Sequence, residues 1–454
     1  VIESRIFREY DIRGVWEKDL TPEAVAALGR AFACYLKERL TGDTLTVSVG
    51  RDARLSSPRI LEILCTELTQ SGVNVVDIGL CPTPLQYFSL FQLPVDGGIM
   101  ITGSHNPPEF NGLKVSVGTE TLFGESIQAL RALVEKGTRC TGRGEIRAHN
   151  IVADYIEFMK GRFSRLDGLK AVLDAGNGVG GIVAPELMRS LGADVVELYT
   201  EPDGRFPNHH PDPVVLENVR DLARTVKKTG AHVGVGYDGD ADRIGVVDER
   251  GEVVWGDRLM VIFSRDVLRE RPGATIIGEV KCSQSLYEDI TAHGGQAVMW
   301  KTGHSLIKKK MKDSGAALAG EMSGHIFFAD RYYGYDDAVY ASLRLLEVMK
   351  KNGKPYSVRR LLEDLPRTVF TPEIRVDFPD EKKFEVPSLV KDAFADYPII
   401  DIDGIRIQFP EGWGLIRASN TQPALVLRFE ARDEESLKKI RRKVERELRR
   451  VASV

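Results

Sequence analysis

The chain of 454 residues contains no apolar stretch near the roughly 20 residues that a membrane-crossing helix needs, which excludes a helical membrane protein. Cysteine is scarce. The five present, Cys34, Cys65, Cys81, Cys140 and Cys282, are odd in number, scattered, and without metal-ligand spacing, so reduced thiols in a cytosol are expected. Positive charge is not in excess: the net charge is −4, and no global basic surface for nucleic acid exists. An anionic ligand must therefore be met by local positive charge. The first residues, Val1-Ile2-Glu3-Ser4-Arg5, lack the apolar core of a secretion signal, and the missing initiator Met suggests a trimmed chain. What remains is an ordinary globular composition, 43% hydrophobic and 28% charged, in a chain too long for one core. Two to four domains are expected.

The most informative segment is Thr102-Gly103-Ser104-His105-Asn106-Pro107-Pro108. It follows the apolar run Gly98-Ile99-Met100-Ile101 and ends in two prolines, which predicts a buried strand running into a tight turn with a serine at its tip. Such a hydroxyl can be a nucleophile or a phosphate carrier; the alternative is a polar turn without chemistry. A second segment, Asp238-Gly239-Asp240-Ala241-Asp242-Arg243, sets three carboxylates at alternate positions. Acids this close repel unless a cation lies among them, and hard divalent cations such as Mg²⁺ take oxygen ligands. An EF-hand loop does not fit. Arg243 stands where that loop needs Gly, and Ile244-Gly245-Val246-Val247 reads as a strand. A serine beside a metal site points to phosphoryl transfer.

One pattern occurs three times. An apolar strand ends in small or polar residues at Val47-Ser48-Val49-Gly50-Arg51-Asp52, at Val172-Leu173-Asp174-Ala175-Gly176-Asn177-Gly178 and at Ile276-Ile277-Gly278-Glu279-Val280-Lys281. A helix-like stretch follows, then a second strand at residues 73–77, 193–197 and 296–300. The third strand of each unit carries a polar motif: the serine segment, the triple-aspartate segment, and Gly320-Glu321-Met322-Ser323-Gly324-His325. Alternating strands and helices imply parallel sheets, with ligands beyond the carboxyl ends of the strands. From about Pro366 the pattern turns strand-rich, with runs at 373–377, 404–408, 412–417 and 424–430 and a charged helix over roughly 433–451. Between the last two runs lies Arg417-Ala418-Ser419-Asn420-Thr421-Gln422-Pro423, a cradle for phosphate or an ordinary hairpin loop. The expected fold is three related α/β domains with mainly parallel sheets (1–150, 151–252, 253–365) and a C-terminal α+β domain (366–454), around a central cleft.

With these motifs in order, and with Phe7-Arg8-Glu9-Tyr10-Asp11-Ile12-Arg13-Gly14 before them, the chain resembles the α-D-phosphohexomutases, most closely the bacterial phosphomannomutase/phosphoglucomutase group. The likeness spans essentially the whole chain. It implies that Ser104 is the phosphoserine, and that Asp238, Asp240 and Asp242 bind one Mg²⁺ together with a Ser104 phosphate oxygen. It also implies that Glu321 and Ser323 bind sugar hydroxyls, and that Arg417, Ser419, Asn420 and Thr421 hold the phosphate that is not being transferred. Tyr10 lies in the matching N-terminal motif and is a candidate substrate contact. The implied reaction interconverts hexose 1- and 6-phosphates of mannose or glucose through hexose 1,6-bisphosphate. A cytoplasmic monomer acting on small sugar phosphates, without nucleic-acid or membrane partners, is expected.

Charge adds further roles. Arg13, Lys114 and Arg243 can neutralise the transferring phosphate. Lys281 and His304, at strand ends of the third unit, can contact substrate. For the proton of the attacking hydroxyl, His325 has a suitable ordinary pKa of about 6.5, with Lys114 at a lowered pKa as the competitor. His105 is expected to point away from Ser104, since neighbours in an extended segment face opposite sides. His209-His210, in a proline-rich loop, is expected at the surface. A hinge near Pro366 would let the C-terminal domain follow a reorienting intermediate. The rivals are a phosphoglucosamine mutase, which Met322 disfavours because those enzymes usually carry Gln there, a metal-dependent sugar phosphatase, and a non-catalytic sugar-phosphate binder.

Overall fold

A computed structural model describes residues 3–42, 44–420 and 422–452. Three sheets repeat one arrangement. In the first, strands Leu45–Arg51, Val73–Leu80 and Gly97–Ile101 run parallel, with helices Ser57–Gln70 and Thr83–Gln92 as crossovers. The second unit uses strands Lys170–Asp174, Asp194–Leu198 and Val233–Tyr237, and the third Thr275–Glu279, Gln296–Trp300 and Leu318–Gly320. The strand order is the same each time: second, first, third, then a fourth strand not foreseen as part of the repeat. That fourth strand, Phe110–Val117, Ile244–Asp248 or Ile326–Phe328, is antiparallel to the third. The sheets are therefore mixed. The polar motif between third and fourth strands is a short reversal, and a short reversal can only bring the chain back antiparallel.

Strands Gly97–Ile101, Val233–Tyr237 and Ile244–Asp248 are buried at every position, as expected where both faces of a sheet are covered. Strand Val253–Val254 pairs with Ile244–Asp248, so the second sheet runs past the boundary expected at 252. The units also pack on one another. Phe88 of the first meets Tyr155 and Phe158 of the second at ring distances of 5.4 and 5.0 Å. The C-terminal sheet is wholly antiparallel, with strands Ile405–Phe409, Gly412–Ala418 and Ala424–Ala431 at its centre and helix Glu434–Ala452 across it. Among the described residues no helix is long and apolar enough to cross a membrane.

The cysteine expectation is corrected. Cys34, on helix Pro22–Arg39, is disulfide-bonded to Cys140, with Cα atoms 5.6 Å apart. The segment around Cys140 folds back onto the helix: Gly142 lies against Gly72, and Lys37 Nζ donates to the Ser71 carbonyl at 2.6 Å. A separation of 106 residues gave no hint of this. Cys65, Cys81 and Cys282 are free and buried, and burial pushes the Cys65 and Cys81 thiols up to about 12. Denatured, unreduced protein is expected to titrate three thiols per chain, the three free cysteines. A titration of all five cysteines would show that Cys34 and Cys140 are not joined.

Candidate active site

The three motifs and the C-terminal hairpin loop face one cleft of about 830 Å³. Ser104 follows strand Gly97–Ile101 and adopts a left-handed backbone, φ 48°. Ala241 in the aspartate loop does the same at 56°. Residues other than Gly rarely hold that conformation unless their surroundings enforce it. The two loops touch: a Cβ on Gly239 would lie 2.4 Å from the Ser104 carbonyl oxygen. Ser104 Oγ donates to Asp238 Oδ2 at 2.8 Å, bringing together residues 134 positions apart.

The oxygens of Asp238, Asp240 and Asp242 lie within 4.8 Å of one another and are fully buried. Lys114, from strand Phe110–Val117, reaches Asp240 Oδ2 at 3.1 Å and also Asp242. Burial alone would lower the Lys114 ammonium, but these carboxylates hold it well above its usual range. Burial and the neighbouring carboxylates push Asp238 well up. Burial would also raise Asp242, but Lys114 and His325 outweigh it. Thr83 and Thr102 hydroxyls donate to Asp240 Oδ2 at 2.5 and 3.1 Å. Asp240 Oδ1 and Asp242 Oδ1 are buried with no hydrogen-bond partner among the described residues. Hard oxygen donors with buried, unpaired lone pairs fit a divalent cation.

Arg13, on strand Ile12–Val15, lines the cleft beside Ser104 and pairs with Asp11. Arg243 Nε donates to His325 Nε2 at 3.0 Å. His304 stacks on His325 with ring centres 5.5 Å apart, and burial keeps His304 well below the usual histidine range. Glu321 Oε1 accepts from the Gly303 amide at 2.6 Å, and Ser323 Oγ donates to Glu321 Oε2 at 2.9 Å. Gly324 closes this loop at φ 92°, where a Cβ would sit 2.2 Å from the Ile244 carbonyl oxygen. Lys281 Nζ reaches Glu373 Oε1 at 2.5 Å across the junction with the C-terminal domain. Arg417 Nε donates to Asp403 at 3.0 Å, while its buried Nη2 has no hydrogen-bond partner among the described residues. Ser419 lines the cleft, and Asn420 Nδ2 donates to the Tyr10 hydroxyl at 2.6 Å. Tyr10 in turn donates to the Thr302 carbonyl at 3.0 Å, joining the first, third and fourth units. Thr421 lies outside the described residues.

Two expectations are corrected. His105 Nδ1 is 3.0 Å from Ser104 Oγ, because the left-handed turn at Ser104 removes the alternation of an extended chain. Burial, with Arg243 and Arg13 nearby, keeps His105 well below the usual range. The His209-His210 loop is no plain surface loop. His209 Nε2 is 3.1 Å from buried Asp174, and His210 Nε2 meets the His105 carbonyl at the cleft wall.

Sequence reasoning also missed Arg54. Its fully buried guanidinium donates to the carbonyls of Ser104, Asn106, Pro107 and Phe110 at 2.8, 2.6, 2.5 and 2.9 Å, and pairs with Asp52 at 3.1 Å. The only signal was its place just beyond the polar end of the first strand. Asp336, buried behind His325, was missed as well.

Comparison with known proteins is consistent along the whole chain. The models of Phosphoglucomutase/phosphomannomutase, alpha/beta/alpha domains I, II and III match residues 4–139, 153–251 and 255–368, and that of the C-terminal domain matches 373–447. A phosphomannomutase/phosphoglucomutase of Pseudomonas syringae pv. tomato is 47% identical over all of this chain and 97% of its own. A phosphoglucomutase of Neisseria gonorrhoeae is 43% identical over 96% of this chain and 95% of its own. The crystal structure of a phosphoglucomutase/phosphomannomutase family protein from Burkholderia thailandensis superposes with a TM-score of 0.93 at 40% identity, covering 99% of this chain and 98% of the other. With four domain models matched in order and full-length relatives well above 30% identity, the chain belongs to the phosphoglucomutase/phosphomannomutase family and is a mutase.

Proposed function

We propose that this mutase interconverts hexose 1-phosphates and hexose 6-phosphates, of mannose, glucose or both, through a phosphate carried on Ser104 and a hexose 1,6-bisphosphate intermediate. The observation that carries the reading is the bond from Ser104 Oγ to Asp238, on one side of a cleft whose other side is the Arg417 loop. Phosphoryl transfer needs a fixed donor, charge neutralisation and a grip on the far end of the substrate.

Arg13 and Arg243 place fixed positive charge where negative charge gathers, in a cleft floor where they act at low dielectric. Glu321 and Ser323 hydrogen-bond sugar hydroxyls. Arg417 Nη2, without a hydrogen-bond partner among the described residues, grips the distant phosphate with Ser419, Asn420 and Thr421, and Lys281 and His304 contact the substrate between. Asp238, Asp240, Asp242 and the Ser104 phosphate would hold one Mg²⁺, which would supply Lewis-acid neutralisation of the transferring group. In the first half-reaction the P–Oγ bond of Ser104 breaks as the new P–O bond to the sugar forms. The hydroxyl proton goes to His325 as the base, and a proton returns to Ser104 Oγ, leaving each half-reaction proton-neutral.

Ser104 is single, so the bisphosphate must turn end for end, and the Arg417 loop must release one phosphate and take the other. Motion about the linker near Pro366 would allow this. The reading includes a division at about 150, 252 and 365, and a cytoplasmic monomer whose partners are small sugar phosphates, not nucleic acid or membrane.

The test is a product assay on glucose 1-phosphate, mannose 1-phosphate and glucosamine 1-phosphate, with Mg²⁺ and a trace of glucose 1,6-bisphosphate. The 6-phosphates of the first two are expected, with turnover lost on chelation and restored by Mg²⁺. Release of free phosphate as the main product would make the protein a phosphatase. Turnover confined to the amino sugar would make it a phosphoglucosamine mutase.

A further inference from the structure

We infer that Asp336 is a positioning residue that fixes the tautomer and orientation of His325, so that Nε2 is the nitrogen able to accept a proton in the cleft. The inference rests on the mutase reading for its consequence, but not for its geometry.

His325 follows the third-unit motif and precedes strand Ile326–Phe328. Its ring lies between His304, stacked at 5.5 Å, and Phe327, at 6.2 Å. Arg243 Nε donates to Nε2 at 3.0 Å. A guanidinium has no acceptor and stays protonated, so Nε2 must be the ring nitrogen without hydrogen. In the neutral ring the hydrogen is then on Nδ1. Nδ1 is the atom that faces Asp336, with Oδ2 at 3.0 Å. Asp242 Oδ1 lies farther from it, at 3.7 Å, and belongs to the aspartate triad.

Asp336 is fully buried. Burial would raise its carboxyl, but Lys308 and the two imidazoles hold it well below the usual range. Lys308 Nζ is 3.5 Å from Oδ1, and His304 Nδ1 is 3.6 Å from Oδ2. Neither carboxylate oxygen has an aligned hydrogen bond among the described residues, nor has His325 Nδ1. Catalytic contacts are often loosely aligned before substrate binds and tighten afterwards. For Nε2 to take the proton of a sugar hydroxyl, the Arg243 hydrogen bond must give way to the substrate, and the imidazolium then forms beside the buried Asp336 carboxylate. This is the logic by which a buried aspartate orients a catalytic histidine elsewhere. An asparagine at 336 could offer its NH₂ to Nδ1 and select the opposite tautomer, with hydrogen on Nε2. That ring could neither accept a proton there nor receive the Arg243 hydrogen bond.

The test combines spectroscopy and kinetics on the full chain. Long-range ¹H–¹⁵N correlation spectra of histidine-labelled protein, with His325 assigned by its loss in His325→Gln, report the tautomer directly. The wild type is expected to carry hydrogen on Nδ1, and Asp336→Asn to shift it toward Nε2. In Asp336→Asn, kcat is expected to fall by about 10²–10⁴, the usual contribution of a general base. KM for glucose 1-phosphate should stay within about threefold, and Asp336→Glu should recover at least about tenfold of the lost kcat. A wild-type His325 with hydrogen on Nε2 overturns the inference without any variant. So does an Asp336→Asn protein whose tautomer or kcat matches the wild type. Failure of the mutase reading looks different: the wild type would not turn over, while its tautomer would still be readable.

Discussion

Ser104→Ala is expected to abolish turnover, by a factor of roughly 10³–10⁶, as when an essential nucleophile is removed. The Ser104 hydroxyl lines the cleft and meets the aspartate triad at 2.8 Å from Asp238. His105 Nδ1 is its other neighbour, at 3.0 Å. The fold should survive. The change removes the two hydrogen bonds of Oγ, each worth about 1–2 kcal/mol, and leaves Asp238 with its bonds from the Asp242 and Arg243 amides at 3.1 and 3.2 Å. Intact-mass analysis of active wild type should show one phosphate, absent from the variant. Full mutase activity in Ser104→Ala would end the phosphoserine mechanism.

The second large effect belongs to Arg54→Met. This side chain does not line the cleft, yet it gathers four backbone carbonyls of the serine loop onto one guanidinium. It also answers Asp52, which further accepts from Ser57 Oγ at 2.7 Å and the Gly103 amide at 3.1 Å. Methionine matches the length but leaves Asp52 with an uncompensated buried charge and the carbonyls without donors. Breaking a buried pair from one side costs about 3–5 kcal/mol. Urea unfolding should show a loss of that size. Turnover of the folded fraction should fall by about 10²-fold, because an error near 1 Å in a reacting group has that effect. Arg54→Lys should fall between, since an ammonium has three donors and no planar fork. Wild-type stability in Arg54→Met would mean that the loop holds its shape without this clasp.

Much of the site was legible along the chain. The motifs around Ser104, Asp238 and Glu321 each follow an apolar run, and in each unit that run is the third strand of the sheet, ending at Ile101, Tyr237 and Gly320. Chemistry at the carboxyl end of a buried strand is a local pattern, readable from period and polarity. The C-terminal strands were legible for the same reason, and the Arg417 loop does join strands Gly412–Ala418 and Ala424–Ala431. His105 was misread because one backbone angle, at Ser104, broke the alternation assumed for an extended segment. His210 was misread because its partner, the His105 carbonyl, lies on another domain.

The sequence by itself determined the inventory: a serine on a turn, three carboxylates two residues apart, a cradle of polar groups, and a strand–helix repeat that must bury its apolar faces. Only the tertiary structure decided who meets whom. Arg54 on the serine loop, Cys34 on Cys140 and Lys114 among the aspartates are contacts between residues far apart in the chain, and Asp336 comes behind His325 only through the turn that follows strand Ile326–Phe328. The reason is physical. Strand and turn propensities act over a few residues and leave their mark in local pattern, whereas a buried charge is answered by whichever side chain the packing of sheets and helices brings within about 3–4 Å, and that choice leaves no periodic trace in the sequence.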